Sequence, residues 1–393
     1  MYFCSAKIKT MKNVYLASKP RYEILDGLRG VAAILVVLFH IMETYAAGPA
    51  EQIINHGYLA VDFFFLLSGF VIGYAYDDRW DKMTTWGFFK RRLVRLHPMV
   101  IMGTVIGLCL YFFGQCEGFP QIGNIPGWKL FLAFIMGLLM IPCGMKMDIR
   151  GWGELNSFNG PNWSLTYEYL ANILYAFILR RLPKIALGVL CIAAALCTLD
   201  ISLNWDIFGL ITERRAAHMY SVIGGWCLTV DQIYIGMTRL LYPFLCGLLI
   251  SRIGRFIKVK GGFWWCSLLL AALLSIPCVG GEGSILNGYY NAACILVLFP
   301  IVVLMGAGSS ISGNRSVKIC NFLGEISYPL YITHYPVLYV QMSWAWTHPE
   351  APLYAHITVA VGSVIFSIAM AYACLKLYDI PVRQWLTDHW LKR

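Results

Sequence analysis

Apolar residues fall along this chain in long blocks separated by short polar stretches. Eleven blocks stand out, at roughly 30–47, 59–76, 98–115, 129–144, 164–180, 184–200, 233–251, 262–280, 288–307, 327–346 and 356–377. A helix needs about 20 residues, within a range of about 17–25, to cross the hydrocarbon of a bilayer. The block 129–144 is the shortest, contains Gly137, and closes on Pro142 and Gly144. The pattern predicts an all-α chain of membrane-spanning helices. Composition excludes the soluble alternative. Of the 393 residues 59% are hydrophobic and 13% charged, against about 25% charged in soluble domains. Aromatic residues make up 15%, far above a disordered chain. The first 29 residues are polar and basic, and they lack the apolar core and small-residue site of a removable signal peptide.

The net charge of +10 decides the topology. If all eleven blocks span, Lys and Arg divide almost evenly between the two sides. If 129–144 dips in and returns, the inside stretches hold 25 of the cations and the outside loops 5, with Arg239 within a span. A bias of that size is the positive-inside pattern, and it replaces nucleic-acid binding as the reason for the basic excess. The expectation is therefore a polytopic membrane protein with ten transmembrane helices plus a re-entrant or interfacial segment near 129–144. Both termini are then cytoplasmic and the bilayer is the inner membrane. Re-entrant backbone survives only when buried in protein or lining a wet cavity, so 116–163 is the candidate vestibule. The longest polar stretches, 145–163 and 201–232, are too short for a soluble core. Residues 21–386 form one membrane domain between tails at 1–20 and 387–393. Most of the thirteen cysteines lie inside apolar runs and no CxxC pair occurs. A disulfide framework, a metal site and a tightly bound cofactor are not expected.

Ionisable groups inside helices each cost roughly 2.5–3.5 kcal/mol on insertion scales, so they need partners or a role. The first block reads LDGLRGVAAILVVLFHIMETYAAG, with Arg29 opening the helix and His40 inside it. Eleven residues apart, the two share a helix face and lie about 16 Å apart along the axis. Glu43, three residues on, is placed to orient the imidazole. In the second block Asp62 enters near the outer end and Ser68-Gly69 follows about 9 Å deeper. A structural salt bridge is the competing role for Asp62, and close helix contact for Ser68-Gly69. No GxSxG is present, which removes a serine-hydrolase reading. FFKRRLVRLHPMV gathers Arg91, Arg92 and Arg95 beside Lys90 and His97, with Pro98 at the start of the third span. Positive-inside charge explains most of that count. The preference for Arg suits bidentate binding of phosphate. In NGPNWSLTYEYLANILYAF, Asn162 or Ser164 caps a helix carrying Glu168 about a turn inside it. That end faces outward, so Glu168 is expected on the opposite side from the arginine mouth. LGEISYPLYITHYPV places His334 about 10 Å into its helix, where a structural hydrogen bond is the simpler role. The outer tryptophans, Trp163 among them, suit sugar stacking or an interfacial belt.

Taken together these strings resemble the acyltransferase-3 family of integral membrane O-acyltransferases, from about residue 22 to 386. Arg29-x10-His40 in the frame LDGLRG…VVLFH is similar to the family's opening motif. AVDFFFLLSGFVI, FFKRRLVRLHP, NWSLTYE and SYPLYITHYPV resemble the four that follow. Asp379 stands before Pro381 where members often have Glu. The resemblance implies transfer of an acetyl or other short acyl group to hydroxyls of cell-surface or lipid-linked sugars. It implies acetyl-CoA or another acyl-CoA as co-substrate and no tightly bound cofactor. On this view Arg29, Arg92 and Arg95 hold the donor's phosphates. His40 is the general base or an acyl-accepting nucleophile, and Glu43, Asp62 or Glu168 orient the ring or bind sugar. Ser68, Trp163, Ser164, Tyr328 and His334 contact substrate. Two other classes share the intramembrane polar groups: a transporter or flippase of a lipid-linked saccharide, which would not depend on CoA, and a non-catalytic subunit of a polysaccharide machine.

Overall fold

A computed structural model describes residues 19–210, 218–281 and 283–392. Most of the expected N-terminal tail, and the outer-loop cations Arg214 and Arg215, lie outside the described residues. Among the described residues there is no strand. The helices are α1 (Glu23–Glu43), α2 (Ala60–Tyr76), α3 (Thr85–Leu110), α4 (Gly127–Leu138), α5 (Asn162–Phe177), α6 (Lys184–Leu203) and α7 (Val230–Ile253). They continue with α8 (Gly262–Ser275), α9 (Ile285–Ala293), α10 (Phe299–Gly308), α11 (Asn314–Thr347), α12 (Leu353–Cys374) and α13 (Ile380–Leu386). A π turn at Cys294–Leu298 joins α9 to α10, and another at Leu375–Asp379 joins α12 to α13. Helical structure runs on to Leu391, into the expected C-terminal tail.

Seven stretches are long and apolar enough to cross a membrane: Glu23–Glu43, Gly57–Tyr76, Thr85–Gly114, Lys184–Leu203, Val230–Ile253, Ile285–Gly308 and Leu353–Leu391. Each matches one apolar block of the sequence. The other three expected spans are α5 and α8, of 16 and 14 residues, and part of the 34-residue α11. Large apolar side chains on α6 and α12, such as Ile185, Ile192, Ile365 and Phe366, are exposed. Apolar surface of that extent belongs against lipid, and the chain is a multi-pass membrane protein.

Two helix boundaries differ from expectation. α1 begins at Glu23, so Arg29 lies well inside it; Glu23 and Asp26 occupy the first turn, where the helix dipole favours acids. α3 begins at Thr85, whose preceding residue Thr84 caps it by accepting the Gly87 N–H at 2.9 Å. Pro98 is therefore in the helix interior, not at its start.

The bundle is held by close crossings. α1 packs along α11 and α2 along α7. At the α2–α7 crossing a Cβ on Gly69 would strike the Phe244 carbonyl, and one on Gly247 the Leu66 carbonyl. Small residues let backbones touch where no hydrophobic force separates helix from lipid. α4 has 12 residues, about 18 Å, too short to cross. Its Gly137 and Ala133 face inward while Trp128, Phe131 and Leu132 are exposed. The chain that follows turns inward. Asp148, Arg150, Glu154, Asn156, Ser157, Asn159 and Asn162 are all buried, forming a polar plug between α4 and α5. Asp148 organises it by accepting the backbone N–H groups of Arg150, Gly151 and Gly153 and the Ser157 hydroxyl.

Candidate active site

His40 lies on α1 with its side chain about one-fifth exposed. Its Nδ1 is 2.6 Å from Glu43 Oε2, three residues on. A carboxylate there holds the proton on Nδ1 and leaves Nε2 as the basic nitrogen. The His40 ring packs against Tyr335 at 4.8 Å and stacks near His334 at 5.7 Å, both from α11. His334 is fully buried. Its Nδ1 donates to the carbonyls of Leu330 and Tyr331, and its Nε2 has no hydrogen-bond partner among the described residues. α11 also carries Pro336, which has no N–H to offer Ile332 four residues back. The freed Ile332 carbonyl accepts from Asn159 Nδ2 at 2.6 Å, which fastens the polar plug to the histidine-bearing helix.

A cavity of about 1330 Å3 opens at the other end of α1. Arg29, Arg91, Arg92 and Arg95 line it, together with Ser68, Ser164, Glu168, Tyr328 and Tyr331. Glu168 thus shares the arginine cavity, and the expectation of opposite sides does not hold. α5 starts in the buried plug at Asn162, so six residues carry Glu168 about 9 Å inward, to the level of α3. There Arg92 Nη2 donates to Glu168 Oε1 at 2.6 Å and Arg92 Nε to Asn172 Oδ1 at 2.6 Å. Ser68 Oγ donates to the same Glu168 oxygen at 2.6 Å. Neither Asn162 nor Ser164 caps α5 through its side chain. Ser164 Oγ instead donates to Pro161 O and meets Tyr331 Oη at 2.7 Å.

The cavity lining does not include His40. A short series of rings joins the two. Phe64 and Tyr331, which line the cavity, are 5.3 Å apart; Tyr331 is 6.0 Å from His334, and His334 stacks on His40. Asp62 and Trp163 are brought elsewhere. Asp62 is fully buried against Arg239, whose Nη2 reaches Asp62 Oδ2 at 2.7 Å, and Trp163 lies 5.2 Å from that guanidinium. Tyr328 lines the cavity, its hydroxyl donating to the Leu96 carbonyl at 2.6 Å.

Several residues of this region escaped sequence reasoning. Tyr331 and Asn172 carry no charge and stand in apolar runs. Arg239 was visible as a cation within a span, but its partner was not. Arg383, which also lines the cavity, is marked only by Asp379 four residues before it. Glu154 is the most informative omission. It is buried in the plug and accepts from Tyr339 Oη at 2.8 Å. Burial pushes its carboxyl up to about 7, against the lowering effect of that hydrogen bond and of Arg150. The Arg150 guanidinium lies 3.6 Å over the Tyr339 ring and donates to Ser157 O. Among the described residues no group of His, Cys, Asp and Glu is arranged to hold a metal ion.

Comparison with known proteins fits this geometry. "Protein 2 in picA locus" of Rhizobium radiobacter is 36% identical over 164 residues, 40% of this chain and 81% of that protein. "Acyltransferase MdmB" of Streptomyces mycarofaciens is 23% identical over 81% of this chain and 79% of its own length. "O-acetyltransferase OatA" of Staphylococcus aureus is 23% identical over 96% of this chain, which spans 60% of that protein. No solved structure matches. The model of the acyltransferase domain matches residues 22–375, which include the five motifs from LDGLRG to SYPLYITHYPV and stop short of Asp379. This multi-pass membrane protein is an acyltransferase, and the chain belongs to the acyltransferase-3 family.

Proposed function

We propose that this enzyme moves an acetyl or other short acyl group from acyl-CoA to a hydroxyl of a cell-surface or lipid-linked carbohydrate. The observation that carries the reading is the His40–Glu43 pair, one layer of rings beyond an arginine-lined cavity, on the helix that also supplies Arg29. The phosphorylated end of the donor binds among the arginines, and its thioester arm extends past Phe64 and Tyr331 towards His40. His40 Nε2 takes the proton of the acceptor hydroxyl. The hydroxyl oxygen forms a bond to the thioester carbonyl carbon, the carbon–sulfur bond breaks, and the thiolate leaves, taking the proton back from His40 to give free CoA. Glu43 holds the imidazole in the tautomer that this requires. His334 Nε2, an acceptor beside His40, takes a hydrogen bond from a neighbouring hydroxyl of the acceptor sugar and so orients the reacting one. The names of MdmB and OatA support acyl transfer, and that of OatA an O-acetyl product.

The positive-inside bias supports ten spans with the arginine mouth and both termini on the cytoplasmic side of an inner membrane. α5, α8 and part of α11 are then the three spans that complete the seven long apolar helices. The test is mass spectrometry of surface glycans from cells with the wild-type protein, the His40→Ala variant and no protein. A gain of about 42 Da per sugar that needs wild type is expected, as is normal membrane insertion of the variant. Wild-type glycan masses from His40→Ala cells would refute the mechanism. Substrate movement without CoA dependence would make the protein a transporter instead.

A further inference from the structure

The arginine motif offers the cavity Arg92 and Arg95, but the two are not equally available. Arg92 is committed along one edge of its guanidinium, Nη2 to Glu168 and Nε to Asn172. Arg95 makes no hydrogen bond or ion pair among the described residues, and it lines the cavity. Its charged neighbours are Arg383, Arg29, Asp26 and Arg21. Arg383 arrives from α13, far along the chain. Asp379 holds it from one side, with Nη2 to Oδ2 at 2.9 Å, while its Nε is buried and has no hydrogen-bond partner among the described residues. Among the described residues Arg29 pairs with Asp26 alone, at 3.4 Å. The segment bearing Arg383 is fixed against α3: Lys90 Nζ donates to Trp390 O at 3.3 Å and lies 5.2 Å over the Trp390 ring.

Three guanidinium groups from three separate helices, with the carboxylates of Asp26 and Asp379 beside them, repel one another across the cavity. Such an arrangement is stabilised by an anion carrying more than one phosphate, which accepts paired N–H groups from several arginines at once. We propose that Arg29, Arg95 and Arg383 form the polyphosphate-binding site, with Arg383 replacing Arg92 in that role. Arg92 instead fixes Glu168 and Ser68 further along the cavity. The site deepens the donor reading above and rests on it, since the ligand it suits is the 3′-phospho-ADP end of CoA. The phosphates of an anionic lipid headgroup share that chemistry and are separated by the experiment.

The full chain is purified and placed in nanodiscs of phosphatidylcholine alone or with phosphatidylglycerol. CoA and 3′,5′-ADP are titrated into wild type, Arg383→Ala, Arg383→Lys and Arg92→Gln, with a thermal melt on each to show that it is folded. Arg383→Ala is expected to weaken CoA and 3′,5′-ADP at least about tenfold. Arg383→Lys, keeping charge without the fork, should fall between. Arg92→Gln should cost no more than about threefold. Wild-type affinity in folded Arg383→Ala, or in Arg383→Lys where the alanine variant does not fold, overturns the site while leaving the CoA reading standing. Absence of CoA and 3′,5′-ADP binding to wild type, with phosphatidylglycerol retained through Arg383, overturns the CoA reading while keeping the anion site.

Discussion

Two guanidinium–carboxylate pairs join helices of this bundle, the buried Asp62–Arg239 and the partly buried Glu168–Arg92. Their side chains are 0% and 2% exposed in the first pair and 12% each in the second. Arg239 is saturated: it donates to Asp62, to the carbonyls of Tyr58 and Gly224, and stacks near Trp163. That pair ties α2 to α7 about two turns from their glycine crossing, and neither residue lines the arginine cavity. The Glu168 pair opens onto the arginine cavity, and Ser68 adds a third hydrogen bond to the carboxylate. Both acids looked alike along the chain, as lone carboxylates in apolar helices. What separates a brace from a site is whether the partners leave the pair facing other groups or facing space.

Replacing Asp62 with Ala strands the Arg239 charge and should remove about 3–5 kcal/mol of stability, read as a large fall in melting temperature in detergent. Replacing both partners, Asp62→Leu with Arg239→Met, should restore most of the melting temperature and keep acyl transfer. A stable but inactive double variant would make Asp62 part of the chemistry and dissolve the contrast.

Glu154 tests the same contrast from the other side, as a buried acid with no ion pair among the described residues, Arg150 stacking on Tyr339 instead. With its carboxyl raised from 4.5 to about 7, the folded state favours the protonated acid. Its contribution is complete below about pH 4.5 and is lost as pH rises through 7. The melting temperature should therefore drop between pH 5 and 8, by an amount on the order of 3 kcal/mol at most. Glu154→Gln should flatten that slope; parallel profiles for the two proteins would place its titration elsewhere.

Glu168→Gln should be the mildest. It keeps the shape and the Ser68 contact, so the melting temperature changes little, while donor turnover falls by about tenfold as Arg92 loses its charged partner. A large loss of stability with normal turnover per folded molecule would make this pair a second brace.

The apolar blocks carried much of the helical architecture, because lipid forces backbone bonding into helices, and charge is conspicuous there, as at Arg29 and His40. The His40–Glu43 contact was legible for the same reason: three residues on one helix are neighbours by geometry alone. Contacts between helices were not. Nothing local says that Asn159 seeks the carbonyl freed by Pro336, that Glu168 meets Arg92, or that Arg383 joins Arg95. Helix ends were misread where polar first turns, as at Glu23 and Thr84, extended a helix beyond its apolar block. The stretch 145–163 was expected within a vestibule, and its packing as a buried polar plug was not legible, since burial of polar residues depends on partners far away in sequence.

The central claim is that His40 is the base in acyl transfer from a donor held at the arginines. Its most direct test is a reconstituted assay with labelled acetyl-CoA and an acceptor glycan, comparing wild type with His40→Ala and measuring CoA binding on the same samples. The account predicts a fall in transfer of about 10²- to 10⁴-fold with donor binding retained. Transfer within a few fold of wild type in a folded His40→Ala protein would contradict it.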